Sequence, residues 1–117
     1  MMLIRDSKEF KLDEKIVLSV AWAESRFTSQ HKVTKYGCIG PLQIKVKYWC
    51  YKKSIKYCDT FYDGVKALNY YLKKFKPLEK AICYYNNSKK CKKSYMSNYT
   101  KEVLNSLTIL KRLIKKK

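Results

Sequence analysis

Residues 13–27 read DEKIVLSVAWAESRF and carry the clearest helical pattern of the chain. Apolar residues recur in this stretch at spacings of four, three and four, which is the period of one face of an α-helix. These residues are Ile16, Val20, Ala23 and Phe27. We therefore predict a helix over residues 13–26 that carries Glu24 at its C-terminal end.

The chain immediately after this helix loses the apolar period. Residues 27–40 are therefore predicted to form a loop. Pro41 suits the first turn of a short helix that runs to about residue 52, because the first helical position needs no backbone N–H. Asp59 or Thr60 suits the N-cap of the next helix, since a side-chain oxygen there accepts a hydrogen bond from a backbone N–H.

The C-terminal half is predicted to contain two more helices. Pro77 ends the preceding helix and starts another one that runs to about Tyr85. Residues 86–93 are polar and basic, so we expect a surface loop there. The last helix is predicted to begin near Ser94 or Ser97. Together these elements predict a compact all-α domain of five or six helices.

Length and composition agree with one helical domain over residues 1–117. A chain of 117 residues can build one hydrophobic core, and 46% hydrophobic residues are enough to fill it. Three glycines and two prolines are too few for the many turns of an all-β protein. No run of apolar residues is long enough to span a membrane. A β-sandwich, a membrane protein and a multidomain enzyme are therefore excluded.

The N-terminal residues, MMLIRDSKEFKLDEK, are rich in charge and lack the uninterrupted apolar stretch of a secretory signal. Three explanations stay open. The protein acts where it is made, it leaves the cell by another route, or the chain has lost an original leader.

The net charge of the chain indicates an anionic partner. Lys and Arg number 27 against nine acids, which gives a formal net charge of +18. Nucleic acid and the acidic polymers of a bacterial cell wall both fit this balance. The lysines are spread along the chain, however, and arginine, the usual reader of base edges, occurs only at Arg5, Arg26 and Arg112. We therefore expect no obligate nucleic-acid partner.

The five cysteines form no Cys-x-x-Cys pair, and His31 is the only histidine, so the sequence predicts no metal site. Buried or loop thiols are the favoured interpretation of these cysteines. A Cys50–Cys58 disulfide is the alternative, and it requires an oxidising compartment.

Glu24 is the acid whose position points to chemistry. It lies in the sequence AWAESRF, among apolar residues. A carboxyl group in apolar surroundings has a raised pKa and can donate a proton near neutral pH, as a general acid for glycosidic cleavage must. The alternative is a surface glutamate at a helix end, paired with Arg26 or a lysine.

Residues 24–44, ESRFTSQHKVTKYGCIGPLQI, resemble the first signature of the soluble lytic transglycosylase family, which shares its fold core with goose-type lysozyme. The family pattern begins with Glu-Ser-x-aromatic, continues with a Ser before Gly-Ala-x-Gly, and ends in Leu-Met-Gln-Ile. The corresponding residues here are Glu24, Ser25, Phe27, Thr34 in place of Ser, Gly37, Cys38 in place of Ala, Gly40, and Pro41 to Ile44.

A second stretch resembles the family's next signature. AICYYNNS, residues 81–88, is similar to Ala-Leu-x-x-Tyr-Asn-Ala-Gly, with Tyr85 and Asn86 as the matching Tyr-Asn. DGVKALNYYLKKF (63–75) and SNYTKEVL (97–104) resemble the family's intervening and following helices. The resemblance covers about residues 13–105 in the family's order and implies a lysozyme-like catalytic domain.

The resemblance implies an activity as well as a fold. The family cleaves the β-1,4 bond from N-acetylmuramic acid to N-acetylglucosamine in peptidoglycan, and it does so with one carboxylate and no cofactor. Glu24 would protonate the leaving oxygen and then deprotonate the muramic acid 6-hydroxyl, which closes a 1,6-anhydro ring. The stretch from Phe27 to Tyr57 contains no Asp or Glu. The other acids lie at the chain ends or on helix faces rich in lysine, which leaves Asp59 and Asp63 as the only candidates for a second carboxylate. Helix capping and first-turn dipole complementarity explain both.

Five further side chains are expected to support the reaction by resemblance. Tyr85 would hydrogen-bond near Glu24 and orient it. Gln43 and Thr34 would donate hydrogen bonds to the N-acetyl group or the ring hydroxyls, and Ser25 is expected among the substrate-binding residues. Asn86 would hold the loop that borders the site.

The small residues of the two signatures also carry expectations. Gly37 and Gly40 would let the backbone lie close to the sugar. Cys38 and Cys83 both occupy alanine positions of the family, which favours buried thiols over disulfides at these two positions.

The partners expected from the resemblance are peptidoglycan strands and anionic wall polymers. A monomer is expected, in the periplasm or cell wall or delivered by a phage. Two alternatives stay open. One is a non-catalytic basic module that binds nucleic acid or forms a structural part of a wall-crossing apparatus, supported by the charge and by Lys45 and Ser88, where the family has Met and Gly. The other is a hydrolytic goose-type lysozyme on the same fold.

Overall fold

Helices make up most of the computed structural model, which describes residues 2–27, 32–50 and 58–115. The described residues contain no helix long and apolar enough to cross a membrane. The described residues also contain two short strands, which pair antiparallel, with Cys38 opposite Lys45 and Ile39 opposite Ile44. The described residues are thus mainly helical, and the short two-stranded sheet departs from the predicted all-α architecture. In chain order the elements are α1 (Met2–Glu9), α2 (Glu14–Ser25), β1 (Cys38–Ile39), β2 (Ile44–Lys45), α3 (Val46–Trp49), α4 (Tyr62–Lys74), α5 (Leu78–Asn87), a 3₁₀ helix (Ser88–Cys91) and α6 (Asn98–Lys115).

Helix α2 forms where the apolar period predicts it. Its N-cap is Asp13, whose carboxylate accepts a hydrogen bond from the Lys15 backbone N–H at 2.9 Å. It ends at Arg26, which adopts the left-handed conformation (φ 54°) and donates its backbone N–H to Trp22 O. Both ends are thus set by local chemistry, and Glu24 is placed in the last turn.

The main apolar core lies between α2 and the helices that surround it. Fully buried side chains from α1, α2, α4, α5 and α6 meet there, together with Leu42 from the turn before β2. Because Leu42 is buried in the helical core, the turn that carries Gln43 is held against the helices. The buried members are Leu3, Val17, Val20, Ala21, Leu42, Val65, Leu68, Ile82 and Val103.

The helix predicted to begin at Pro41 is wrong. Pro41 lies in a turn, and a helix begins only at Val46, while the predicted end near residue 52 lies outside the described residues. Gly37 and Gly40 have φ values of +78° and +82°, and these left-handed residues turn the chain into the short β1–β2 hairpin instead. Helix α1 was not expected from the sequence.

Asp59, one of the two predicted caps of α4, and Ser97, one of the two predicted starts of the last helix, both bind backbone N–H groups there. The Asp59 carboxylate accepts hydrogen bonds from the backbone N–H groups of Phe61 and Tyr62, at 3.1 and 3.0 Å. The Ser97 hydroxyl accepts from the Thr100 N–H at 3.2 Å. These contacts begin α4 and α6 close to the predicted positions.

The two disulfides pair Cys50 with Cys58 and Cys83 with Cys91. The Cys50–Cys58 alternative is therefore present, and the expected thiol at Cys83 is wrong. Cys38 is a free thiol as expected, but it is half-buried and not fully buried. The surface loop predicted over 86–93 is also corrected, because α5 runs to Asn87 and a 3₁₀ helix follows. This helix turns the chain back and brings the Cα atoms of Cys83 and Cys91 within 6.0 Å, inside the range of a disulfide.

Candidate active site

A cleft of about 950 Å³ lies between the β1–β2 hairpin, α3, α4 and α5, with Glu24 in its wall. Among the described residues that line the cleft, Glu24 is the only carboxylate. The residues outside the described ranges contain no Asp or Glu. Glu24 is thus the single acid among the described residues of the cleft wall.

Glu24 is half-buried in the last turn of α2, where it accepts a hydrogen bond from Tyr99 of α6. The Tyr99 hydroxyl lies 2.8 Å from Glu24 Oε2. Burial raises the pKa of the Glu24 carboxyl from its ordinary value of 4.5 to about 7, and the hydrogen bond from Tyr99 acts in the opposite direction. A carboxyl group with this pKa can both give and take a proton near neutral pH.

The contact between α2 and α6 is reinforced beside this pair. The Arg26 guanidinium forms an ion pair with Glu102, one turn after Tyr99 on α6, and it lies 4.9 Å from the centre of the Trp22 ring. Arg26 is thus engaged by Glu102 rather than by Glu24. The alternative in which Glu24 pairs with Arg26 is therefore not the arrangement of the described residues.

Tyr85 lines the cleft beside Glu24, but its hydroxyl donates to another group. It donates to the backbone oxygen of Leu42 at 2.6 Å, which ties α5 to the turn before β2. Burial and the nearby Glu24 charge raise the pKa values of Tyr85 and Tyr99 well above the ordinary value, so both hydroxyls stay protonated donors. Tyr99 is the direct partner of Glu24, and sequence reasoning did not assign it this contact.

Three of the other predicted substrate-binding residues lie in the wall of the cleft. Gln43, Thr34 and Asn86 line the cleft. Gln43 uses one amide N–H on Gly40 O at 2.8 Å, and the Thr34 hydroxyl accepts from the Cys38 N–H at 3.3 Å. The structure therefore brings these three residues together with Glu24 and Tyr85 around one cavity.

Ser25 lies outside the lining of the cleft. Its hydroxyl donates to the backbone oxygen of Pro41 at 2.7 Å. This bond connects the end of α2 to the same turn that Tyr85 holds from α5. Ser25 thus stabilises the wall of the cleft without lining the cleft itself.

The structure explains why glycine occurs at positions 37 and 40. A Cβ atom on Gly40 would lie 2.4 Å from the Thr60 Cβ, and its φ is in the left-handed region. At Gly37 the positive φ alone favours glycine, because a Cβ atom at this position would have open space around it. Close packing at Gly40 is therefore against Thr60.

Asp59 and Asp63 are not among the described residues that line the cleft. Asp59 is exposed and caps the start of α4, as described above. Asp63 is buried in the first turn of α4. Neither carboxylate is therefore placed in the cleft with Glu24.

Aromatic side chains form much of the cleft wall, and the sequence did not single them out. Aromatic rings with polar edges suit ligands that present both apolar faces and hydroxyl groups, as sugars do. The chain contains eleven tyrosines, so composition alone does not distinguish those of the cleft. The aromatic side chains that line the cleft beside Tyr85 are Tyr36, Tyr48, Trp49, Tyr71 and Tyr84.

Tyr99→Phe is expected to raise the pKa of Glu24 above about 7, because it removes the hydrogen bond that favours the ionised carboxylate. NMR titration of the Glu24 side-chain carbonyl carbon measures this directly. Tyr62→Phe is the matched control, since Tyr62 is exposed and its ring packs on Phe10. An unchanged or lower Glu24 pKa in Tyr99→Phe would contradict the assigned hydrogen bond.

Comparisons with known proteins give no independent assignment. No protein-family model, curated protein or solved structure matches the chain. The residues and the geometry of the cleft are therefore what indicates a function.

Proposed function

We propose that the protein is a peptidoglycan lytic transglycosylase with a lysozyme-like catalytic domain of the soluble lytic transglycosylase type. One observation carries the proposal. The sole carboxylate among the described lining residues of an aromatic cleft has a pKa raised to about 7. A reaction that uses one group first as an acid and then as a base needs such a carboxyl group.

In the proposed reaction, Glu24 donates its proton to the glycosidic oxygen as the bond from that oxygen to C1 of N-acetylmuramic acid breaks. The substrate's N-acetyl group stabilises the cationic C1. The ionised Glu24 then takes the proton of the 6-hydroxyl while O6 bonds to C1. The carboxyl group is thereby restored, and no water is consumed.

The arrangement of acids supports this reaction over hydrolysis. An inverting hydrolase needs a second carboxylate about 6.5–9.5 Å from the acid to activate water. No described residue of the cleft other than Glu24 supplies one. The 6-hydroxyl belongs to the reacting sugar and so competes at high effective concentration.

Two further observations support a cell-wall setting. Disulfides form and persist in oxidising compartments, and the fold contains two of them. The charge of +18 suits a protein that works among peptidoglycan strands and anionic wall polymers. We propose that the protein acts in the periplasm or cell wall, or is delivered there by a phage.

Mass spectrometry of a peptidoglycan digest tests the proposal. We expect muropeptides that end in 1,6-anhydromuramic acid and are lighter by one water than the hydrolysed products. Muropeptides that end predominantly in reducing muramic acid would instead identify a hydrolase. Absence of digestion, with salt-dependent DNA binding, would favour the non-catalytic basic module.

A further inference from the structure

A second cavity of about 450 Å³ lies along α4, next to the cleft. Its walls are largely apolar and include Phe10, Trp49 and Tyr70. Three lysines, Lys66, Lys73 and Lys74, also line it, and all three are exposed. The cavity therefore combines an apolar interior with cationic side chains.

The two cavities are neighbours that share one aromatic wall residue. Trp49 lines both of them. The Trp49 and Tyr70 ring centres are 5.9 Å apart, and those of Tyr70 and Tyr71 are 5.5 Å apart. Since Tyr71 lines the cleft, the rings of Trp49, Tyr70 and Tyr71 form an aromatic ridge between the cleft and the second cavity. An extended ligand that leaves the cleft over this ridge reaches the second cavity.

The charged residues that line the second cavity in the described part of the chain are all lysines. No Asp or Glu is among the described residues that line it, and the undescribed ranges contain none. Lys74 donates a hydrogen bond to the Tyr70 hydroxyl at 2.9 Å, which holds its ammonium group beside the ridge. An anionic group bound there is attracted by the lysine side chains, and none of the described lining residues is a carboxylate that would repel it.

We propose that the second cavity binds the short peptide substituents of the glycan strand that occupies the cleft. These peptides combine small apolar side chains with carboxylates, which match the apolar wall and the three lysines. The inference rests on the proposed function, because the substituted strand reaches the second cavity from the cleft across Trp49 and Tyr70.

Binding to cell-wall sacculi tests the inference without turnover. In the Glu24→Gln background, the triple variant Lys66→Gln, Lys73→Gln, Lys74→Gln is compared with its parent at low ionic strength. We expect about tenfold weaker binding to sacculi with intact peptides, the scale of three exposed charge pairs. We expect no difference on glycan strands from which an amidase has removed the peptides.

The matched control removes three charges on α6, with Lys101→Gln, Lys111→Gln and Arg112→Gln, at exposed positions that line neither cavity. It should change binding less than about twofold. Equal losses in the two triple variants, a loss that persists on peptide-free strands, or a loss confined to single-stranded DNA would overturn the inference. Digestion by the wild type is measured separately, so a failure of the proposed enzyme activity is distinguishable from a failure of peptide binding.

Discussion

Glu24→Gln is expected to reduce peptidoglycan digestion by about a hundredfold or more, the scale of a lost general acid. The glutamine side chain has nearly the same shape and still accepts the hydrogen bond from Tyr99, but it neither gives nor takes the proton of the reaction. The release of soluble muropeptides from purified sacculi measures the loss at matched protein concentrations.

Glu102→Gln is the control for this substitution. Glu102 lies one turn from Tyr99 and pairs with Arg26, but it is not among the described residues that line the cleft. We expect its digestion rate to stay within a few-fold of the wild type, since exposed ion pairs contribute about 1 kcal/mol or less. Equal rates for wild type and Glu24→Gln would rule out the proposed catalytic role.

The same Glu24→Gln substitution is expected to stabilise the fold at alkaline pH. The folded-state pKa of Glu24 is about 7, above its ordinary value of 4.5, so the folded protein holds this proton to higher pH than the unfolded chain. Its contribution to the free energy of unfolding therefore falls as the pH rises between these two values. At about 1.4 kcal/mol per pKa unit, the difference reaches about 3 kcal/mol by pH ~8.

Urea unfolding of wild type and Glu24→Gln at acid, neutral and alkaline pH measures this effect. The other carboxylates are common to both proteins, so their contributions cancel in the difference. We expect the two proteins to converge below pH ~4.5 and to separate above it. A difference that is constant with pH would mean that Glu24 titrates normally in the folded state.

Local patterns were sufficient to predict the helix that carries the acid. The apolar period of α2 and the caps at Asp13 and Arg26 act within a few residues, so its bounds and the position of Glu24 follow from the sequence. Asp59 and Ser97 are caps of the same local kind. The mainly helical class follows from such elements.

Features that depend on distant contacts were not predictable in this way. Proline suits both a helix start and a turn, and the choice at Pro41 depends on the hairpin that Gly37 and Gly40 permit. The hydrogen bond between Tyr99 and Glu24 joins residues 75 positions apart, and the chain has eleven tyrosines. Disulfide pairing likewise depends on how the chain returns to Cys83.

The turn before β2 is held by hydroxyl groups from two helices. Ser25 of α2 and Tyr85 of α5 bind the consecutive backbone oxygens of Pro41 and Leu42, so the wall that presents Gln43 is ordered before any ligand arrives. The conformational entropy of this wall is therefore lost during folding and not during binding, which leaves more of the contact energy for affinity. Ser25, which lies outside the lining of the cleft, would in this way affect how strongly the cleft holds a ligand.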